Sequence, residues 1–277
     1  MGFLNKGLSP ELAAQVELML ALCERMSLAE RQQARGWGNT LALSRNPSKV
    51  GRDLAQAKAL FGEQFANIAA IFLAERLSSA RCRESQSQSD GFDQERQCLA
   101  LAIKAAKGAA PCWALLSVGE AASAVDVRLC RLLIKEGFPV AGANALGMAA
   151  IGMLAGSSAA RNPIDDRQPE EMLALLLSHG AGANEAFGVD EKTRFSNLPL
   201  RQAQKAYNWS VADKLLDAGA DGFARESPGA PCIFEQLVAN DRCPLGRRSQ
   251  AILDQRRLGE EISSPMAPAG VRKPRAL

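Results

Sequence analysis

The sequence predicts an all-α fold, a solenoid of helical hairpins preceded by an N-terminal helical domain or cap. Three observations carry this. Aromatic residues make up only 5% of the 277-residue chain and β-branched residues are scarce, while Ala and Leu dominate, a balance that favours helices over sheets. A leucine-rich helix end running into glycine recurs, in Leu132-Leu133-Ile134-Lys135-Glu136-Gly137, Leu175-Leu176-Leu177-Ser178-His179-Gly180 and Leu215-Leu216-Asp217-Ala218-Gly219. Prolines Pro111, Pro199 and Pro231 each open an apolar run, where a first helical turn loses no hydrogen bond to them.

Residues 1–107 form the N-terminal helical region. Ser9-Pro10-Glu11-Leu12 supplies a cap, a first-turn proline and an acidic first turn, leading into Val16, Leu18, Met19, Leu20, Leu22 and Met26. Gly36-Trp37-Gly38-Asn39 breaks that helix. A second is predicted from Asp53 to about Arg81, with Leu54, Ala57, Leu60, Phe61, Phe65, Ile68, Phe72 and Leu77 along one stripe. Arg83 to Gly91, rich in Ser and Gln, is predicted as a loop, and Phe92 to Lys107 as a helix against the first hairpin. The region is either a separate helical unit or a degenerate extension of the hairpins; its pattern leaves both open.

Residues 108–250 divide into about four units. Pro111-Cys112-Trp113-Ala114-Leu115-Leu116 opens the first, with Val125 to Lys135 as its outer helix. In the second, Ala145 to Ala150 and Pro169 to Ser178 are the predicted helices, separated by a loop from Gly156 to Arg167. The third begins at Leu198-Pro199-Leu200-Arg201-Gln202-Ala203, breaks at Asn208-Trp209-Ser210 and continues through Val211, Ala212, Leu215 and Leu216, with Ser210 as the predicted N-cap. A glycine just past such a helix takes the left-handed conformation that satisfies its last carbonyls, the role predicted for Gly219. Pro231-Cys232-Ile233-Phe234 repeats the first opening and starts an incomplete final unit.

This third unit, Leu198 to Ala203 followed by Asp213-Lys214-Leu215-Leu216-Asp217-Ala218-Gly219-Ala220-Asp221, resembles an ankyrin repeat, and the others resemble it more distantly. The glycine spacings of 43 and 39 exceed the ankyrin period of about 33, so the resemblance implies an insertion in each interval. One is the Gly156–Arg167 loop. The other is a lengthened finger over Gly188 to Asn197. The family's Thr-Pro-Leu-His opening stands here as Leu198-Pro199-Leu200-Arg201, so the resemblance does not carry over the inter-repeat hydrogen bonds that the Thr and His make. The resemblance covers about half the chain and implies a binding scaffold without catalysis or cofactor, acting through its concave face and fingers.

Chemistry-bearing motifs are sparse. Seven cysteines, Cys23, Cys82, Cys98, Cys112, Cys130, Cys232 and Cys243, form no Cys-x-x-Cys pair and match no zinc spacing, so they are expected as buried thiols in a reducing compartment. Cys82, between Arg81 and Arg83, is the candidate for a lowered thiol pKa. The single histidine, His179, precedes Gly180, where a favourable interaction with a helix C-terminus accounts for it; no catalytic residue, metal ligand or cofactor is assigned. Neither a P-loop nor a dinucleotide fingerprint occurs. Asp165-Asp166, Glu170-Glu171 and Glu260-Glu261 are predicted as solvated charges.

The net charge of +3 is uneven: residues 242–277 carry eight Arg or Lys against three acids. That tail, from 251 on, is predicted as a basic, Pro-containing and partly disordered end, with a capping helix around Gln250 to Glu261. An alternative function follows from it, a nucleic-acid-associated regulator, since basic segments neutralise phosphates. No targeting or membrane segment is evident: Ala66 to Ala74, the longest apolar run, contains Asn67 and is too short to span a bilayer. Cytoplasmic residence is therefore expected, although a secreted bacterial effector acting on host proteins would have the same sequence character. The expected contact residues for an unidentified protein partner are Arg194 and Phe195 in the finger, Arg201 and Lys205 on the third inner helix, and Tyr207 and Trp209 at the helix junction, residue types that dominate interface energies.

Overall fold

The computed structural model describes residues 44–80, 92–161, 167–188 and 190–263, with positions 21, 24–30, 32–33 and 36–37. Among these residues every regular element is a helix and no strand occurs. The predicted helix over residues 9–26 falls largely outside them, as do the 83–91 loop and Cys23 and Cys82.

Helix α1 spans Pro47–Phe61, capped by Asn46, whose side chain accepts the Lys49 N–H at 3.2 Å. The single long helix predicted from Asp53 is in fact two. Gly62 sits at φ 54°, which cannot continue a right-handed helix, and a 3-10 turn over Gly62–Gln64 redirects the chain into α2, Phe65–Ala80. The bend allows α1 and α2 to pack on each other and both on α3, Phe92–Ala106.

The rest of the chain is a series of paired helices. α4 (Pro111–Ser123) is followed by α5 (Val127–Lys135), and α6 (Ala150–Ala155) by the short α7 (Ser158–Arg161) and α8 (Gln168–Ser178). α9 (Glu191–Asn197) precedes the pair α10 (Pro199–Lys205) and α11 (Trp209–Asp217), and α12 (Ile233–Val238) precedes α13 (Gly246–Ser263). α2, α4, α6, α10 and α12 lie side by side in one row, while α5, α8 and α11 form a second behind it. The core is continuous along the rows, through residues such as Leu73, Val118, Leu133, Leu154, Leu176, Leu215 and Leu237. It crosses position 107 without a break: the buried Ser117 hydroxyl donates to the Ala70 carbonyl, and the Ala110 N–H to the Asn67 side chain at 2.8 Å.

Two turn devices build the pairs. At the outer ends Gly137, Gly180 and Gly219 take φ of 89°, 95° and 84°, and in each case the next N–H returns to the helix: Phe138 to Leu133, Ala181 to Leu176, Ala220 to Leu215. This is the six-residue closure expected of a left-handed helix stop. At the inner ends the same geometry occurs without glycine. Val125 and Tyr207 have φ of 58° and 56°, and the following Asp126 and Asn208 return their N–H groups to Ala121 and Ala203. Those two positions carry no glycine signal and were invisible in the sequence.

Four local readings change. Ala145 to Met148 is a turn, not a helix start: the Asn144 side chain accepts the Leu146 and Met148 N–H groups and Gly147 sits at φ 72°, so α6 begins only at Ala150. Asparagine competes with helical hydrogen bonding in this way. The Gly156–Arg167 loop contains α7, whose start the Ser157 hydroxyl caps by accepting the Ala159 N–H; residues 162–166 lie outside the described residues. The 188–197 finger is a helix, α9, nucleated by Asp190 accepting the Thr193 N–H at 2.6 Å. Finally the cap position of α11 is Asn208, two residues ahead of the predicted Ser210; Asn208 is buried and its side chain donates to the Ala155 carbonyl at 3.4 Å. α13 also exceeds its predicted bounds, and residues 264–277 lie outside the described ones.

Candidate protein-binding surface

The expected contact residues fall into three arrangements. Gly188 lets the chain turn tightly into α9, since a Cβ there would sit 2.8 Å from the Arg194 nitrogen and the Thr193 side chain. Arg194 is exposed and folds back on this turn, its Nε donating to the Gly188 carbonyl at 3.0 Å. Phe195 does not project outward as expected. It is 5% exposed, because α9 folds its one large apolar side chain onto the core rather than into solvent.

Arg201 and Lys205, one helical turn apart, form the second arrangement. The Arg201 guanidinium lies 5.4 Å from the Phe195 ring centre and donates to the amide oxygens of Gln204 and Gln236. Its Nε is buried without an acceptor. Lys205 donates to the Ser196 hydroxyl at 2.6 Å, and Gln202 to the Ser196 carbonyl at 2.8 Å, so the C-terminal end of α9 lies against α10. Partial burial and the neighbouring Arg201 charge hold the Lys205 ammonium below the usual lysine pKa, with Glu226 pulling the other way. Glu226 itself pairs with Lys192 at 3.5 Å.

The third arrangement is aromatic. Tyr207 and Trp209 meet edge to face, ring centres 5.7 Å apart, at the inner turn between α10 and α11. Trp209 is half-buried against the core, whereas Tyr207, at a left-handed turn position, is 56% exposed. Gln204, Gln236, Ser196 and Glu226 were not foreseen. Gln236 stands 35 residues from Arg201, and no sequence pattern links a glutamine to an arginine at that separation.

The capping of α9 is testable by acid. The hydrogen bonds that Asp190 accepts from Thr193 depress its carboxyl pKa, so the cap contributes fully above the unfolded-state pKa and is lost as pH falls through the lowered folded value. Protection of the Thr193 and Arg194 amides, taken against the intrinsic exchange rate at each pH, is expected to fall across that window in the native protein. Asp190→Asn, which keeps an acceptor but does not titrate, removes the pH dependence; an identical acid response in the variant would contradict the assignment.

The remaining polar features are quieter. Cys98, Cys130 and Cys232 are buried and Cys112 and Cys243 half-buried, all as free thiols. Burial and then the nearby Asp126 push the Cys130 thiol up to about 12. His179 is exposed at the end of α8, its Nδ1 2.9 Å from the Leu175 carbonyl. Among the described residues no three His, Cys, Asp or Glu side chains converge, and no helix is long and apolar enough to cross a membrane. A polar hollow of about 520 Å³ opens at the start of α1, where Arg45 is the one ionisable lining residue and pairs with Glu95 at 3.3 Å. In the basic C-terminal segment Arg248 bridges Asp213 and Asp217, and Arg256 pairs with Glu260 and lies 4.3 Å over the Phe223 ring. Arg272, Lys273 and Arg275 lie outside the described residues. No protein-family model matches the chain, and no curated protein is significantly similar to it.

Proposed function

We propose that the chain is a protein–protein interaction scaffold of ankyrin-like architecture, binding a partner across the side of its helix rows that carries α9, Arg201, Lys205, Tyr207 and Trp209. The observation that carries this reading is the recurrence of one closure, a leucine-rich helix stopped by left-handed Gly137, Gly180 and Gly219, in hairpins laid side by side. Such stacking presents a long surface whose side chains vary while the turns repeat. Exposed arginine and tyrosine on that surface are the residue types that anchor interfaces. The scaffold needs no catalytic group or cofactor, and it works in the cytoplasm or in a cell into which it is delivered. The nucleic-acid alternative draws less support, because Arg248 and Arg256 already meet carboxylates within the chain.

Capture of proteins from the native host by immobilised wild-type chain tests the reading. Arg194→Glu combined with Arg201→Glu is expected to lose the captured partner while keeping the helical circular-dichroism signal. Equal recovery by wild type and variant would remove this surface from the proposal.

A further inference from the structure

The charges of α10 differ from those of the carboxylate-paired arginines elsewhere in the described residues, and Arg201 is half-buried with an Nε that finds no acceptor. Arg131, Arg225, Arg248 and Arg256 each meet a carboxylate, at pair distances such as 2.6 Å for Arg131–Glu171 and 2.9 Å for Arg256–Glu260. Arg201 and Lys205 meet only neutral groups, the amide oxygens of Gln204 and Gln236 and the hydroxyl of Ser196. Among the described residues neither forms an ion pair. Two cations one helical turn apart repel each other, their hydrogen-bond partners are neutral, and Glu226 offsets the Lys205 charge only in part. Both are held by hydrogen bonds, so little side-chain freedom remains to be lost when an anion arrives.

We propose that Arg201 and Lys205 form a receptor for carboxylate side chains on an acidic peptide segment of a partner protein. The inference rests on the scaffold reading above and gives its partner a chemistry. A carboxylate pair on an extended or helical segment fits a two-cation site of one-turn spacing, and the guanidinium offers it planar donors. A nucleic-acid backbone fits less well, because a phosphate strand requires a continuous basic track and α10 offers two cations.

Fluorescence anisotropy with the full chain tests this, using a labelled glutamate-rich peptide, a lysine-rich peptide of equal length and a labelled single-stranded oligonucleotide. The glutamate peptide is expected to bind and to weaken as salt rises. Lys205→Gln, which removes an exposed ammonium bonded only to Ser196, is expected to weaken it about tenfold, and Arg201→Gln by a similar factor. Lys205→Gln leaves the packed Arg201 in place, so the test survives if Arg201→Gln folds poorly. Absence of peptide binding, or equal binding by Lys205→Gln and wild type, overturns the receptor. Tighter binding of the oligonucleotide than of the peptide overturns it in favour of a phosphate contact. If wild type captures host proteins yet ignores the glutamate peptide, the receptor fails and the scaffold stands; if it captures none, the scaffold reading itself fails.

Discussion

Replacing Leu215 with Ala is expected to lower the free energy of unfolding by about 3 kcal/mol, the cost of a cavity where a fully buried leucine cannot be replaced by collapse of its neighbours. Leu215 is completely enclosed at the centre of α11, between α8 and α10, and its carbonyl also accepts the Ala220 N–H that closes the Gly219 turn. Against a typical total stability of about 5–15 kcal/mol the loss is large. Leu216, its half-buried neighbour, supplies the comparison: Leu216→Ala is expected to cost about half as much or less, because part of that side chain never leaves water. Urea unfolding followed by tryptophan fluorescence measures both. Equal losses at the two positions would contradict the placement of the α11 stripe.

Gly222→Ala is the second large effect, and it arises from overcrowding. A Cβ at Gly222 would stand 2.3 Å from two carbons of the Phe234 ring. That ring has nowhere to go: Phe234 is 4% exposed, meets Phe223 edge to face at 5.0 Å, and its N–H is tied to the Gly222 carbonyl at 2.9 Å. Inserting a methyl into such a site costs about 1–3 kcal/mol and should loosen the last pair of helices first. The contrasting substitution is Gly259→Ala, in the interior of α13 with open space around it, expected to stabilise by up to about 1 kcal/mol through helix propensity. Thermal unfolding of the two variants should therefore shift in opposite directions. A shift in the same direction would show that Phe234 is free to move.

The helix ends were legible wherever a residue type announced the backbone. Gly137, Gly180 and Gly219 are left-handed as their positions after leucine pairs implied, and α3 and α8 run within a residue of their predicted bounds. Gly62 was missed because apolar residues continue at helical spacing on both sides of it, from Leu54 and Phe61 to Phe65 and Ile68, so periodicity bridged a real bend. Val125 and Tyr207 adopt the same left-handed turn without a glycine to signal it. The finger was misread for a related reason. Glu191 to Asn197 has a single large apolar residue, so no stripe announces a helix, and the one residue that buries, Phe195, looked like an outward anchor. For the candidate surface, the cations and aromatics were readable from the sequence, but the neutral groups that hold Arg201 and Lys205 come from Ser196, Gln204 and Gln236, brought together only by folding.

The bonds that cross between α2 and α4 bear on how the molecule withstands load and dissection. Ser117 and Ala110 find their partners in Ala70 and Asn67, so the first hairpin after residue 107 has one flank already sealed by what precedes it. A stack of hairpins is weakest at a bare end, where one apolar flank faces water and fraying can begin. Here the leading flank is shut by the N-terminal helices and the trailing one by α13. Strain imposed on α10 reaches the trailing end through α12, which packs on α13, so α13 is the element that would have to resist its opening.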